Sequence, residues 1–231
     1  MQVKIKEIIQ ETKDTITWQF EESVNYLPGQ FITIDTKQFP QLKEAKIGRI
    51  NGPRAYSITW PFGITVKKEE EGLFSTFVID NFLKVGDIIE IKGPFGFFKY
   101  SEHSDVILIG AGSGIVPLYT IICYFIDNKL PFQAKLLYGN KTEDSIIFKK
   151  QLDQLSLENK NIEIVHTLTR ADDSWKGRRG RIDISLIEET AKDLSKYIFY
   201  ICGPSEFGNS IKSELLKKGI PAEKIKMEAY G

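Results

Sequence analysis

The stretch VILIGAGSGIVP, residues 106 to 117, joins an apolar run, a glycine-rich turn and the start of a second apolar run. The first run has the length and composition of a buried strand, and the second has a helical pattern. Glycines at 110, 112 and 114 let the chain turn sharply and bring backbone N–H groups close to a ligand. The N-terminus of the following helix carries a partial positive charge that suits a pyrophosphate. The stretch therefore predicts an α/β domain with a nucleotide-binding turn, the alternative being a plain tight turn.

This turn differs from the usual dinucleotide fingerprint, because Ile115 stands where that pattern has its third glycine. The next predicted strand, AKLLYG, ends without the acidic residue that would grip a ribose 2′-hydroxyl. It continues into Asn140, Lys141 and Thr142, so nothing at that tip repels a 2′-phosphate. The sequence predicts a nucleotide site of another subtype.

Strands and helices alternate from about residue 105 onward. Apolar runs such as IEIVHTL and KYIFYICG are separated by helical patterns such as DSIIFKKQLDQLSLE. This order predicts a parallel sheet covered by helices on both faces. A basic cluster follows the third strand and suits phosphate oxygens, with a solvated loop as the alternative. Its members are Arg170, Lys176, Arg178, Arg179 and Arg181.

The first hundred residues consist of short alternating runs separated by glycine and proline. Such runs, among them TITWQFE, QFITID and GITVKK, predict an antiparallel barrel or sandwich. FSTFVIDNFL has a helical pattern, and the polar segment 36–53 is predicted as a loop. The change of pattern near SEHS, residues 101 to 104, predicts two domains, 1–102 and 103–231.

Composition argues against several classes of function. Lys plus Arg and Asp plus Glu both total 31, and this balance argues against a nucleic-acid-binding protein. Cys123 and Cys202 are the only cysteines, which excludes a disulfide scaffold and an all-cysteine cluster or zinc site, and we expect no metal. The charged N-terminus lacks the apolar core of a signal peptide, and no run of 18 apolar residues occurs. We expect a cytoplasmic protein without membrane insertion.

The order of short motifs resembles that of the ferredoxin-NADP reductase family of flavoproteins along essentially the whole chain. Each motif alone is weak evidence for the family, but their shared order and spacing make the resemblance specific. The motifs are Pro28-Gly29-Gln30-Phe31, Arg54-Ala55-Tyr56-Ser57, Gly72-Leu73-Phe74-Ser75-Thr76, Gly93-Pro94-Phe95-Gly96, the glycine turn 110–117, Cys202-Gly203-Pro204 and Glu228-Ala229-Tyr230.

The resemblance implies a six-stranded antiparallel barrel that binds FAD, followed by a five-stranded parallel sheet that binds NADPH or NADH. Arg54, next to Ala55, would contact the flavin pyrophosphate, and Tyr56 would pack on the isoalloxazine ring. Ser57 would hydrogen-bond near the reactive N5. A fixed cation, a flat aromatic face and a small hydroxyl suit these tasks.

The resemblance also implies contacts from two neighbouring segments of the barrel domain. Gly72, Ser75 and Thr76 would begin its helix and offer N–H groups to the flavin pyrophosphate, while a simple N-cap is the other reading of Ser75. Thr65 and Val66 are expected to contact the flavin through their backbone.

In the second domain, Gly112, Ser113 and Gly114 would face the pyrophosphate of the nicotinamide nucleotide. Cys202, followed by Gly203, would lie close to the nicotinamide, although a lone cysteine in an apolar strand is normally a small buried hydrophobe.

Glu228 resembles the family's acidic residue near the nicotinamide, and Tyr230 resembles the C-terminal aromatic that covers the flavin in some members. Gly231 departs from the members that end on the aromatic, so the alternative is that Tyr230 packs at a domain interface. Together with Ser57 and Cys202, these two residues form the expected catalytic set.

Nucleotide preference depends on the loop after the third strand of the sheet. Thr169-Arg170 and Gly180-Arg181-Ile182 resemble motifs that hold the 2′-phosphate in NADP-specific bacterial members, and Arg178 lies between them. NADH-using relatives such as cytochrome b5 reductase carry an arginine, a tryptophan and glycines there, much like Arg170, Trp175 and Gly177. We favour NADPH over NADH.

The implied reaction is hydride transfer from the reduced nicotinamide to flavin N5, with the cofactors supplying the chemistry. We expect the electrons to pass to a separate ferredoxin, flavodoxin or small haem protein. One alternative is a reductase of free flavin or other small molecules, and another is an electron-transfer subunit of a larger complex. From a different class, a flavin- or nucleotide-binding module without turnover would not need the hydride-side residues.

Overall fold

The computed structural model describes residues 1–39, 52–69, 72–80 and 83–230, with the side chain of Leu73 left out. Most of the predicted loop 36–53 lies outside these residues. The chain divides into two compact units, Met1–Lys99 and Tyr100–Gly231. Within the described residues, no helix has the length and apolar character needed to cross a membrane.

The first unit is a closed antiparallel barrel of six strands, as predicted, with the spatial order β1-β2-β5-β4-β3-β6. One described helix, α1, accompanies it. The strands are β1 Gln2–Thr12, β2 Thr15–Phe20, β3 Phe31–Asp35, β4 Pro53–Thr59, β5 Gly63–Lys67 and β6 Ile88–Phe95, and α1 is Leu73–Ile79.

Alternation along the strands places one set of apolar side chains inside the barrel. Ile32 and Ile34 of β3 are fully buried, as is Ile58 of β4. Helix α1, predicted within FSTFVIDNFL, adds Phe74 and Phe77 to the same core cluster. Because side chains alternate across a strand, the pattern in the sequence was sufficient to predict which faces are buried.

The second unit is a parallel sheet with the order β10-β9-β8-β7-β11-β12. The prediction of five strands is correct for the long ones, and a two-residue edge strand, β10, is the sixth. The elements are β7 Val106–Ala111, α2 Ile115–Asp127, β8 Ala134–Asn140, α3 Lys149–Glu158, β9 Ile162–Leu168, β10 Arg178–Arg179, α4 Ile184–Thr190, β11 Ile198–Pro204, α5 Ser205–Lys217 and β12 Ile225–Tyr230.

Two neighbouring interior strands of this sheet, β7 and β11, are apolar on both sides. Ile107 and Ile109 of β7 and Phe199 and Ile201 of β11 are fully buried and belong to one core cluster. Parallel strands covered by helices on both faces need such continuous apolar runs. All strands of the sheet run in the same direction, so their carboxyl ends share one edge.

Candidate active site

The barrel wall is split between the beginning of β4 and the end of β5. Strand β4 pairs with β3 over residues 53–57, but within the described residues its ladder with β5 is limited to Ile58 and Thr59. Strand β5 pairs with β2 along its other edge over residues 63–67, so its end, residues 65–67, is paired on that edge. Where two strands diverge, main-chain N–H and C=O groups line both edges of the opening. The split is therefore a slot in which a flat ligand can bond to the backbone of both strands.

Arg54 and Tyr56 lie on the core-facing side of β4 at this slot, because they pair directly with the buried residues Ile34 and Ile32. Arg54 is exposed, and the half-buried Tyr56 ring lies 5.9 Å from the ring of Phe74 in α1. Burial raises the pKa of Tyr56 well above its usual range, although the Arg54 charge opposes this shift, so the phenol stays neutral. A cation and a flat ring are thus side by side at the opening.

Ser57 is buried on the opposite face of β4 and is paired with Phe31. Ala55 is exposed. These positions keep the motif Arg54-Ala55-Tyr56-Ser57 on one continuous strand, with the arginine at the open end and the serine near the point where β5 joins.

Helix α1 begins beside Tyr56, with Gly72 as its N-cap residue. Ser75 is the third residue of the helix, and its hydroxyl donates to the Gly72 carbonyl at 2.9 Å and accepts from the Glu69 N–H at 3.0 Å. The alternative reading of Ser75 as the N-cap is therefore wrong. Thr76 donates its N–H to Gly72 at 2.9 Å, so that N–H is already used within the helix. The first turn still directs N–H groups outward from the helix N-terminus.

The side chains of Thr65 and Val66 are engaged inside the barrel. The Thr65 hydroxyl is 2.8 Å from the hydroxyls of both Thr17 and Thr59, and Val66 belongs to the core. Any ligand contact from these two residues must therefore use their backbone, which lies on the edge of the slot.

In the second unit, the glycine turn after β7 packs directly against the end of β11. A Cβ atom added at Gly114 would lie 2.1 Å from the carbonyl oxygen of Cys202, a distance that no side chain tolerates. Gly112 has φ +55°, and among the described residues other than its two chain neighbours no atom lies within 4 Å of the position its Cβ would take. The turn is therefore tightly packed against β11 at Gly114 and has open space beside Gly112. Ser113 lies between these two glycines.

Tyr138 supports this turn and was missed by sequence reasoning. Its fully buried ring comes from β8, and its hydroxyl donates to the Gly112 carbonyl at 2.9 Å. In the sequence, Tyr138 is one residue of the apolar run AKLLYG and has no motif around it. The one available signal was that a buried tyrosine hydroxyl needs a hydrogen-bond partner, which indicates a polar contact at this position.

Cys202 and Glu228 occupy one row across the carboxyl edge of the sheet. Gly110, Cys202 and Glu228 are register neighbours on β7, β11 and β12. Burial raises the pKa of the Cys202 thiol to about 12, and the Glu228 charge adds to this shift while a hydrogen bond from the Tyr230 side chain opposes it. A Cβ atom added at Gly203, the next residue, would lie 3.2 Å from the Ala111 Cβ. The sheet thus presents a neutral thiol, a carboxyl and a phenol together.

Glu228 is the titrating group of this row, because burial raises its pKa from 4.5 to about 7. We expect an NMR titration of the isotopically labelled carboxyl to have its midpoint near pH 7, and Glu228→Gln to remove that signal. A midpoint near 4.5 would contradict the burial. Because the folded state holds this proton more tightly than the unfolded state, Glu228 lowers stability as pH rises from 4.5 toward 7, and Glu228→Gln should flatten that change.

A cavity of about 570 Å³ lies beyond the tips of β8 and β9. Its wall combines two cations, three carboxylates and an indole ring. The lining residues are Thr142, Glu143, Asp144, Lys149, Leu168, Arg170, Asp172 and Trp175.

Thr169 and Arg170 hold the rim of this cavity to the end of β8. Thr169 donates its N–H to the Asn140 carbonyl at 3.0 Å, and the Arg170 N–H donates to Lys141 at 2.8 Å. The Arg170 side chain is exposed, and no described residue forms an ion pair or hydrogen bond with it. It is therefore a fixed charge available to a ligand.

The other arginines of the basic cluster differ in their partners. Arg178 forms an ion pair with Glu189 of α4, and Arg181 is exposed. Arg179 donates to the carbonyls of Ala171 at 3.0 Å and Asp172 at 2.6 Å, which holds the loop closed. The structure therefore brings Arg170 to the cavity, places Arg178 in a surface ion pair and gives Arg179 a structural role.

Two family models match the chain, one to each unit. Residues 2–100 match the oxidoreductase FAD-binding domain, and residues 108–213 match the oxidoreductase NAD-binding domain. The fold and these two matches define a two-domain oxidoreductase. One domain binds FAD, and the other binds a nicotinamide nucleotide. The chain belongs to the ferredoxin-NADP reductase family of flavoproteins.

Similar proteins are reductases or the reductase parts of larger proteins. The chain is 38% identical over 145 residues to NADH-cytochrome b5 reductase 2 of Scheffersomyces stipitis, covering 60% of this chain and 48% of that protein. It is 26% identical to the glycine betaine monooxygenase reductase subunit of Pseudomonas aeruginosa, over 99% of this chain and 64% of that one. It is 34% identical to nitrate reductase [NADPH] of Aspergillus niger, over 59% of this chain and 17% of that one. The chain thus spans less than two thirds of each of these relatives.

Solved structures show the same fold. The FAD/NAD-binding domain of nitric oxide dioxygenase from Vibrio cholerae superposes with a TM-score of 0.86 at 23% identity, covering 100% of this chain and 98% of that one. Ferredoxin-NADP+ reductase from Plasmodium falciparum gives a TM-score of 0.77 at 21% identity, over 99% and 95% of the two chains.

The described residues fit both cofactors. For FAD, the divergence of β4 from β5 leaves backbone edges for a flat ring, with Arg54 and Tyr56 at the opening. For the nucleotide, the space above Gly112 and the start of α2 fit a pyrophosphate, because backbone N–H groups and the helix dipole favour an anion there.

Proposed function

We propose that this chain is an FAD-dependent oxidoreductase that takes a hydride from NADPH or NADH and passes electrons to a separate redox protein. The observation that carries this proposal is the pairing of Cys202 with Glu228, with the Tyr230 side chain hydrogen-bonded to Cys202, beside a glycine turn that fits a nucleotide, in a chain whose first unit is an FAD-binding domain. A module that only binds nucleotide has no use for a neutral thiol and a carboxyl at that edge.

On the flavin side, the proposed roles follow from the slot in the barrel. Arg54 would neutralise the pyrophosphate with charge-assisted hydrogen bonds, and the α1 N-terminus would add N–H groups. Tyr56 would offer a flat apolar face to the ring, and Ser57 a small hydroxyl that leaves room beside it. When bound, FAD supplies the hydride acceptor and the ability to release electrons singly or in pairs.

On the nucleotide side, the glycine turn would fix the pyrophosphate and the Cys202 row would orient the nicotinamide. Because burial keeps the Cys202 thiol protonated, its proposed role is to pack against the nicotinamide and not to attack it. Glu228, with its raised pKa, would hold a proton below about pH 7 and a charge above it. Orientation of this kind makes a transfer effectively intramolecular.

We propose NADPH as the preferred nucleotide, because Arg170 lines the cavity and its side chain has no ion-pair or hydrogen-bond partner among the described residues. A 2′-phosphate would supply the missing anion. Relatives named for NADPH and for NADH both occur, so these names favour neither.

Arg170→Ala tests this preference. We expect it to raise the KM for NADPH roughly 10- to 150-fold and to leave the KM for NADH nearly unchanged, since a charge-assisted hydrogen bond contributes about 1.5–3 kcal/mol. Lys176→Ala, at an exposed cation of the same loop, is the matched control and should change neither. Equal effects of Arg170→Ala on both nucleotides would contradict the assignment.

The proposed acceptor is a separate ferredoxin, flavodoxin or small haem protein. The names of relatives support this class, since they include a monooxygenase reductase subunit and cytochrome b5 reductases. The alternative is a reductase of free flavin. FAD that remains bound through gel filtration, together with no turnover of added free riboflavin, would support the first and exclude the second.

A further inference from the structure

The cavity beyond β8 and β9 has a second cation that no motif indicated. Lys149 is the first residue of α3, and its ammonium lies 2.8 Å from Asp153 Oδ2 and 3.4 Å from Glu143 Oε1. Its side chain is 32% exposed and lines the cavity together with Arg170. An ammonium has three N–H donors, so two carboxylate partners leave one for a ligand.

The backbone at the start of α3 is held in place by its preceding residue. Phe148 has φ +60°, is buried, and stacks on the ring of Tyr119 with centroids 4.3 Å apart. A buried aromatic residue in the left-handed region persists only where its surroundings fix it. Lys149 therefore begins α3 at a defined point, where the helix dipole adds to its positive charge.

Of the carboxylates near Lys149, Glu143 is the one that competes with a ligand. Asp144 accepts from the Thr142 hydroxyl, and Asp172 accepts from the Ser174 N–H at 2.9 Å, so each serves its own turn. Asp153 of α3 also contacts the half-buried His166, whose Nε2 lies 3.3 Å from Asp153 Oδ1. Burial lowers the pKa of His166, so Lys149 is the charged partner of Asp153 near neutral pH.

We propose, on the basis of the nucleotide role assigned above, that Lys149 is a specificity-determining residue that binds the 2′-phosphate of the nucleotide together with Arg170, with Asp153 as its positioning residue. The phosphate takes the place of Glu143 on the ammonium, while the shorter contact to Asp153 keeps the side chain in place. The two cations approach the anion from β9 and from α3.

Calorimetric titration with adenosine 2′,5′-bisphosphate and with adenosine 5′-monophosphate tests this pair without any turnover. Lys149→Gln should weaken binding of the bisphosphate about tenfold and leave the monophosphate unchanged. Lys150→Gln, an exposed lysine at the next position, is the matched control and should change neither. Equal weakening of both ligands, or of neither, would overturn the proposal.

Glu143→Gln provides a test of opposite sign. Removing the competing carboxylate should tighten bisphosphate binding, and the tightening should vanish in the Lys149→Gln background, because only the freed ammonium produces it. Tightening of equal size in both backgrounds would assign the effect to general charge and overturn the role of Lys149.

These binding results are separate from the proposed redox function. If NADPH and NADH both fail to reduce the bound flavin while Lys149→Gln still weakens bisphosphate binding, the reductase proposal fails and the Lys149 assignment stands. If the flavin is reduced but Lys149→Gln leaves bisphosphate binding intact, the assignment fails alone.

Discussion

Replacing Gly114 by alanine is expected to abolish reduction of the bound flavin by either nucleotide while FAD remains bound to the barrel unit. The added Cβ would lie 2.1 Å from the Cys202 carbonyl oxygen and 2.5 Å from its carbon, and both atoms belong to the backbone of β11. Neither can rotate away, so the glycine turn must separate from the end of β11. Overpacking of this kind costs typically about 1–3 kcal/mol and here displaces the two segments proposed to hold the nucleotide.

The measurement is the rate of flavin bleaching after mixing with NADPH or NADH, together with the FAD content per chain. Dithionite, which needs no nucleotide site, should still reduce the flavin of the Gly114→Ala protein. Gly219→Ala is the matched control, because its φ of +81° imposes strain, while in the described part of the chain only its sequence neighbours come within 4 Å of the added Cβ. Rapid bleaching of Gly114→Ala by nucleotide would show that the close contact is not needed.

Replacing Arg54 by methionine is expected to release FAD. The guanidinium is exposed on β4 at the opening of the slot, and methionine keeps a long side chain while removing the charge. Charge-assisted hydrogen bonds contribute about 1.5–3 kcal/mol each, so the affinity for FAD should fall roughly 10- to 150-fold.

Fluorescence titration of the apoprotein with FAD measures this change. Lys13→Met, at an exposed cation in the turn between β1 and β2, is the control and should bind FAD normally. If Arg54→Met binds FAD as tightly as the unaltered protein, the arginine does not contact the pyrophosphate.

The sequence was sufficient to predict both folds because each depends on periodicity. Alternation in segments such as QFITID determines which face of a barrel strand is buried, and the continuous run VILIG indicates a strand covered on both sides. The glycine turn was predictable for a different reason. Its glycines mark positions that a side chain cannot occupy, and at position 114 the structure shows the backbone contact that excludes one. In contrast, the two residues of β10 lie in a charged stretch without any strand pattern.

Contacts between distant segments could not be predicted from local patterns. Tyr138 supports Gly112 from the next strand, and Lys149 of α3 lines the same cavity as Arg170 of the loop after β9, yet neither Tyr138 nor Lys149 belongs to a motif. The sequence allowed Ser75 to be either a first-turn residue of the helix or its N-cap, and the N-cap position of Gly72 and the hydrogen bonds of the Ser75 hydroxyl distinguish the two. These contacts depend on strand register and on side-chain direction, and local patterns in a single sequence do not specify either.

Anaerobic mixing of the FAD-loaded protein with NADPH and NADH, each unlabelled and deuterated at C4, measures hydride transfer to the flavin. We expect unlabelled nucleotide to bleach the flavin, deuterium on one face of C4 to slow the bleaching, and NADPH to act at lower concentration than NADH. If protein that retains FAD is bleached by neither nucleotide, the chain is not a reductase of this kind.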